Sequence, residues 1–172
     1  MDMKTTIKQA GRGYYLSQQT KLESMRREVE NWHGGMTSPM CYKDALKWLR
    51  SPQVLYLGDR QDYKLLGGIY EWVHQTGWVA YTGESGQIYS RLVGHRDAFN
   101  LGRPYVSSTG KSGKSVQCQY KMKQSDPEPD VWLIKIRLIK TDCVNFRRFI
   151  EKQYEDRDQP RFNDKKMNRK AA

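Results

Sequence analysis

The sequence predicts an α/β (α+β) fold in which a small antiparallel β-sheet is flanked by helices. Two observations carry that expectation. Residues 66 to 73 (LGGIYEWV) and 77 to 82 (GWVAYT) are short runs rich in aromatic and β-branched side chains, set on either side of a His74-Gln75-Thr76-Gly77 turn. That is the signature of a hairpin. Around them, apolar residues recur at helical spacing in segments bounded by glycine or proline.

In chain order, residues 17 to 32 (SQQTKLESMRREVENW) place Leu22, Met25, Val29 and Trp32 on one helical face, and His33-Gly34-Gly35 stops the run. A second short helix is expected over about 41 to 50 (CYKDALKWLR), behind Ser38-Pro39. Together they form an N-terminal helical extension, residues 1 to 65, packed on the core. A turn-rich stretch around Gly58-Asp59 leads into the hairpin. Ser85-Gly86 reads as the N-cap of a helix over QIYSRLVGHRDAFN, lined on one side by Ile88, Leu92 and Phe99.

Residues 101 to 124 hold five basic and no acidic residues, with Gly, Ser and Thr clustered in the middle, and read as an exposed basic loop. SDPEPD closes this insert, which spans 101 to 130. A third strand follows at 131 to 139 (VWLIKIRLI), which alternates Trp132, Ile134, Ile136 and Leu138 with Leu133, Lys135, Arg137 and Ile139. The last helix runs from about Asn145 to Asp156, with Phe146, Phe149, Ile150 and Tyr154 on its apolar face and Glu151 beside that stripe. The core is thus residues 66 to 165, and 166 to 172 form a basic tail.

The 172 residues suit one domain that buries its own core, and 30 Lys and Arg against 19 Asp and Glu give a net charge of +11. Such an excess favours an extended anionic partner, nucleic acid first and an anionic membrane surface second. No run of about 18 apolar residues is present and the first residues lack an apolar signal core, so a soluble, cytoplasmic protein is expected. Three widely spaced cysteines, Cys41, Cys118 and Cys143, offer neither a disulfide framework nor a CxxC metal clip.

The chemistry sits on the hairpin and the helix after it. A two- or four-residue loop centred on Gln75-Thr76 puts Tyr70 opposite Tyr81, with β-carbons about 5 Å apart on one face. Arg91 and His95, four apart on the next helix, lie one turn from each other. Phosphodiester hydrolysis needs an activated water, a cation to neutralise charge on the phosphorus oxygens and stabilisation of the leaving oxygen. Phenol, guanidinium, imidazole and carboxylate can supply these. A phenol of pKa about 10 is a poor base unless a cation or hydrogen-bond donor assists it.

Gly68-Ile69-Tyr70, ten intervening residues, then Tyr81-Thr82-Gly83 resemble the paired motifs of the GIY-YIG nucleases. Thr82 stands where that family usually has an aliphatic residue. Arg91 ten positions after Tyr81, His95 four further on, Glu151 in NFRRFIEKQY and Asn163 in QPRFN match in order and spacing. The resemblance covers residues 66 to 165 and implies one Mg²⁺ or Mn²⁺ held by Glu151 and waters. It implies that Tyr70 acts as or near the base, that Tyr81 tunes it and positions the phosphate, that Arg91 stabilises the transition state and that His95 contacts a phosphate oxygen or assists proton transfer. It implies a sequence-specific restriction-type endonuclease on double-stranded DNA, with homing, repair or structure-specific members as alternatives. Two-strand cleavage at a symmetric site further implies a homodimer.

Each signal is weak alone. Strand tyrosines commonly pack sheets, helical arginines are commonly solvated, and Glu155 rivals Glu151 one turn later. Their joint order is what favours a nuclease over the alternative class, a nucleic-acid-binding protein with the fold but no metal site. GKSGKS is not a phosphate loop, because Tyr105 and Ser108 occupy the positions where that motif needs glycine. Arg103, Lys111, Lys114, Lys121 and Lys123 are instead expected to track the DNA backbone.

Overall fold

The structure, a computed structural model, describes residues 35–102, 114–140 and 142–163. The helix expected at 17 to 32, the basic residues Arg103 and Lys111, and the tail at 166 to 172 lie outside the described residues. Helix α1 (Tyr42–Leu49) begins where Cys41 accepts the Asp44 N–H through Sγ, and α2 (Pro52–Gly58) begins at a Ser51 cap with proline in its first turn. Then come a 3-10 turn (Tyr63–Leu65), strands β1 (Gly68–His74) and β2 (Val79–Ser85), and helices α3 (Ile88–Leu101) and α4 (Lys114–Ser125). A second 3-10 turn (Pro129–Val131), strand β3 (Trp132–Leu138) and helix α5 (Val144–Asp158) complete the described chain. No helix among the described residues is long and apolar enough to cross a membrane.

The three strands form one antiparallel sheet in the order β2-β1-β3. Its edges are covered by other backbone: Thr37 and Met40 pair with Ile136 and Ile134 on the β3 side, and Arg161 and Phe162 donate to Val79 and Ala80 on the β2 side. On one face, Tyr70, Trp72, Ile134 and Ile136 meet Leu92, Phe99 and Met122 of α3 and α4 in a common buried core. The other face carries Ile69, Glu71, Val73 and Arg137 beneath α5, whose Tyr154 hydroxyl accepts from Arg137 at 2.8 Å.

The hairpin register departs from expectation. Tyr70 lies opposite Gly83, and Tyr81 lies opposite Trp72. Two irregularities cause the shift. The turn is a three-residue loop, with the His74 N–H donating to the Trp78 carbonyl at 2.9 Å and Gly77 at φ +98° closing it, a backbone conformation that glycine tolerates best. A bulge then follows between Trp72 and Val73. The two slips together move the register by two residues, so Tyr70 and Tyr81 keep a common face as diagonal neighbours.

Two further expectations change. Gln87, not Ser85 or Gly86, caps α3, while the Ser85 hydroxyl accepts the Gln87 N–H at 3.0 Å. The basic segment expected to be a loop is helical from Lys114 to Ser125, and it buries Cys118, Gln119 and Met122 against the sheet and α3. The alternating third strand and the last helix appear where expected, within one or two residues at each end.

Candidate active site

Tyr70 stands in the middle of the central strand and is fully buried. Tyr81 comes from the edge strand and is half-buried, with ring centroids 6.1 Å apart. Gly83 makes that approach feasible: a Cβ there would sit 2.6 Å from Tyr70 Oη and 2.6 Å from Tyr81 Cε1. The glycine after Tyr81 and Thr82 is therefore demanded by the two rings.

On α3, the apolar stripe of Ile88, Leu92 and Phe99 turns His95 inward, 1 % exposed, and leaves Arg91 at the surface. His95 Nε2 lies 3.4 Å from Tyr70 Oη, and its ring stacks on Trp72 with centroids 6.4 Å apart. His95 Nδ1 meets the Gln119 side-chain amide nitrogen at 2.8 Å. Burial, and then the Arg91 charge, lower the imidazole pKa to about 3. The ring is neutral at any physiological pH.

Burial raises the Tyr70 phenol, against which the Arg91 charge and hydrogen bonding from Arg91 and Tyr81 favour the phenolate. Burial, and then Tyr70, Cys118 and Glu151, raise the Tyr81 phenol. That Glu151 acts on Tyr81 places the carboxylate within electrostatic reach of that phenol, although it comes from α5. Glu151 accepts the Glu84 backbone N–H at 3.0 Å, and Glu84 is in turn held by Arg147 at 3.1 Å. Burial first, then the like charges of Glu155 and Glu84, lift the Glu151 carboxyl to about 7.

Four of the residues singled out in sequence thus converge directly: Tyr70, Tyr81, Arg91 and His95. Glu151 adjoins them. The Asn163 amide exchanges two hydrogen bonds with the Thr82 backbone, at 2.9 and 2.8 Å, and also donates to Glu155. It imitates a paired strand at the β2 edge. Lys121 is exposed on α4, whereas Lys123 donates to the Asn100 carbonyl at 2.9 Å and lies over the Phe99 ring. Lys114 opens α4.

The structure also explains Thr82. Its hydroxyl donates to Glu71 Oε1 at 3.3 Å directly across the β1-β2 ladder, and Lys135 Nζ approaches Glu71 Oε2 at 3.3 Å. Glu71 is fully buried, so an aliphatic residue at 82 would remove one of its partners. Burial lifts this carboxyl to about 7, with Asp158 contributing through a hydrogen bond. Glu71 and Gln119 escaped the sequence reading. The cross-strand pairing of Glu71 with Thr82 depends on both the three-residue turn and the bulge at Trp72/Val73.

Among the described residues, no group of three or more His, Cys, Asp or Glu is placed to hold a metal. Glu151, the carboxylate within electrostatic reach of Tyr81, is the residue that could ligate a cation taking most of its ligands from water and phosphate, as Mg²⁺ does. Comparison with protein-family models, curated proteins and solved structures finds no match for this chain.

Proposed function

We propose that this chain is a metal-dependent endonuclease of the GIY-YIG type that hydrolyses phosphodiester bonds in double-stranded DNA, acting as a sequence-specific restriction-type enzyme. The observation that carries the reading is the meeting of two phenols, an exposed guanidinium and a neutral imidazole from three elements, with a carboxylate of raised pKa beside them. The net charge of +11 suits a polyanionic substrate.

Arg91 is the surface cation that meets a phosphate and offsets charge developing on its oxygens. Tyr81, half-buried, is the phenol that water or phosphate reaches first, and Tyr70 lies behind it. His95 Nε2 faces the Tyr70 oxygen at 3.4 Å. Glu151 would hold Mg²⁺ or Mn²⁺, which would supply Lewis-acid stabilisation of the phosphorus oxygens. Both phenols are raised by burial, so proton uptake from water at this site depends on the cationic charge that Arg91 and the substrate complex bring. A homodimer would pair two such sites for cleavage of both strands, and homing, repair or structure-specific nucleases would use the same chemistry.

The full burial of Tyr70 favours one rival, a nucleic-acid-binding protein without hydrolytic activity. Supercoiled plasmid and phage DNA incubated with Mg²⁺ or EDTA separates them. Nicked, linear or discrete fragments with Mg²⁺ alone support the nuclease. DNA retarded equally in both buffers and never cut supports the binder.

A further inference from the structure

The basic insert does more than carry charge. Its helix α4 sends Gln119 and Cys118 inward, and Gln119 is 0 % exposed. The Gln119 amide nitrogen reaches His95 Nδ1 at 2.8 Å and Cys118 Sγ at 3.3 Å. With the amide nitrogen toward the ring, an orientation that leaves Gln119 Oε1 buried without a hydrogen-bond partner among the described residues, the N–H₂ donates and His95 Nδ1 accepts. A neutral imidazole that accepts at Nδ1 carries its proton on Nε2, and Nε2 is the atom that faces Tyr70 Oη at 3.4 Å.

We infer that Gln119 is a positioning residue for the proposed nuclease reaction: it fixes His95 as the Nε2–H tautomer and so aims that proton at the oxygen of Tyr70. Trp72, stacked on the imidazole with an interplanar angle of 10°, completes the cradle by limiting rotation of the ring. The Tyr70 oxygen then receives a hydrogen bond from His95 and faces the Arg91 charge, both of which favour the phenolate. Without Gln119, His95 can place its proton on Nδ1 and present a lone pair to Tyr70, which makes the phenol a donor and holds its proton in place. The inference rests on the nuclease reading only for its catalytic consequence. The tautomer is a property of the protein alone.

Long-range ¹H–¹⁵N NMR of the full chain reads the tautomer directly. The expected result is a single Nε2–H form for His95 in the wild type, giving way to the Nδ1–H or doubly protonated ring in Gln119→Glu, which sets an acceptor against Nδ1. Gln119→Met, of similar volume and with no donor, should populate both tautomers. Cleavage by Gln119→Met should fall about 10- to 100-fold in kcat with little change in KM, on the order of the loss when a hydrogen-bond partner of a metal-ligating histidine is removed. In a Tyr70→Phe background the same substitution should cost nothing further.

An Nδ1–H form in the wild type, or an unaltered Nε2–H form in both variants, would overturn the role assigned to Gln119. If one variant does not fold, the other, of different side-chain chemistry, still reads the dependence on Gln119, and an Nδ1–H form in the wild type overturns it without either. An Nε2–H tautomer that responds to both substitutions, in a protein that leaves DNA uncut, would uphold the positioning and refute the nuclease.

Discussion

Replacing Gly83 by alanine perturbs the site with one methyl group. The added Cβ would stand 2.6 Å from Tyr70 Oη, 2.6 Å from Tyr81 Cε1 and 2.8 Å from Tyr70 Cζ. Two of these atoms belong to a ring that is completely buried between the sheet and α3, so it cannot swing into solvent. Overpacking of this kind costs about 1–3 kcal/mol, and the reduced freedom of the unfolded chain returns about 0.4–1 kcal/mol. A net loss of up to about 2.6 kcal/mol lowers Tm by up to about 10 °C in a domain of this size. Thermal unfolding by circular dichroism measures it. The phenols must also part, so cleavage should fall further than stability does. An alanine variant with unchanged Tm and full activity would refute the tight pairing of Tyr70 and Tyr81 on which the site is built.

Gly94 is the control, because a Cβ there meets nothing within 4 Å and the residue lies inside α3. Gly94→Ala should raise stability by about 0.5–1 kcal/mol in the same experiment. His95, with its pKa lowered to about 3, should show ring-proton NMR shifts that stay flat from pH 8 to pH 5. An inflection near 6.5 would mean the ring is not buried as described. For Glu151 the sign runs the other way: its carboxyl is raised to about 7, so the folded apo protein holds a proton there at pH 6 that a bound cation must displace. Mg²⁺ affinity measured by calorimetry should therefore strengthen by up to about tenfold per pH unit up to pH 7 and level off above it. Affinity that is flat between pH 6 and pH 8 would separate Glu151 from the cation.

The hairpin, the third strand, α1, α3 and α5 were legible because each combines a clear hydrophobic period with a turn or cap at its ends. Ile134 and Ile136 alternate with Lys135 and Arg137, for instance, and only one assignment of faces buries the apolar set. The register was not legible. Turn length and the bulge at Trp72/Val73 are decided by how the strands twist around Gly77, and neither leaves a mark in hydrophobic alternation. Residue parity survived because the two slips add to two, which is why Tyr70 and Tyr81 were rightly expected on one face and wrongly expected to be opposed.

Helix α4 was hidden for another reason. Its described apolar contacts are Cys118 and Met122, one turn apart, in a run whose glycine, serine and lysine content reads as loop. Helix α2 is only seven residues long, too short to establish a period. For the site, order and spacing pointed to Tyr70, Tyr81, Arg91, His95 and Glu151. They could not reveal Gln119, a neutral amide within a basic segment, because its significance comes entirely from the 2.8 Å contact with His95 across tertiary structure. The hydrogen bonds of Asn163 to the Thr82 backbone and to Glu155 were likewise not legible, because they join segments distant in sequence.

Single-turnover cleavage of phage DNA in Mg²⁺ by the wild type and by Glu151→Ala, Tyr81→Phe and Tyr70→Phe tests the central claim most directly. The account predicts discrete fragments from the wild type, no cutting by Glu151→Ala, and losses of about 10²- to 10⁴-fold for each phenol, with Tyr81→Phe affected at least as strongly as Tyr70→Phe. Cutting that survives Glu151→Ala, or wild-type rates in both phenylalanine variants, would contradict it.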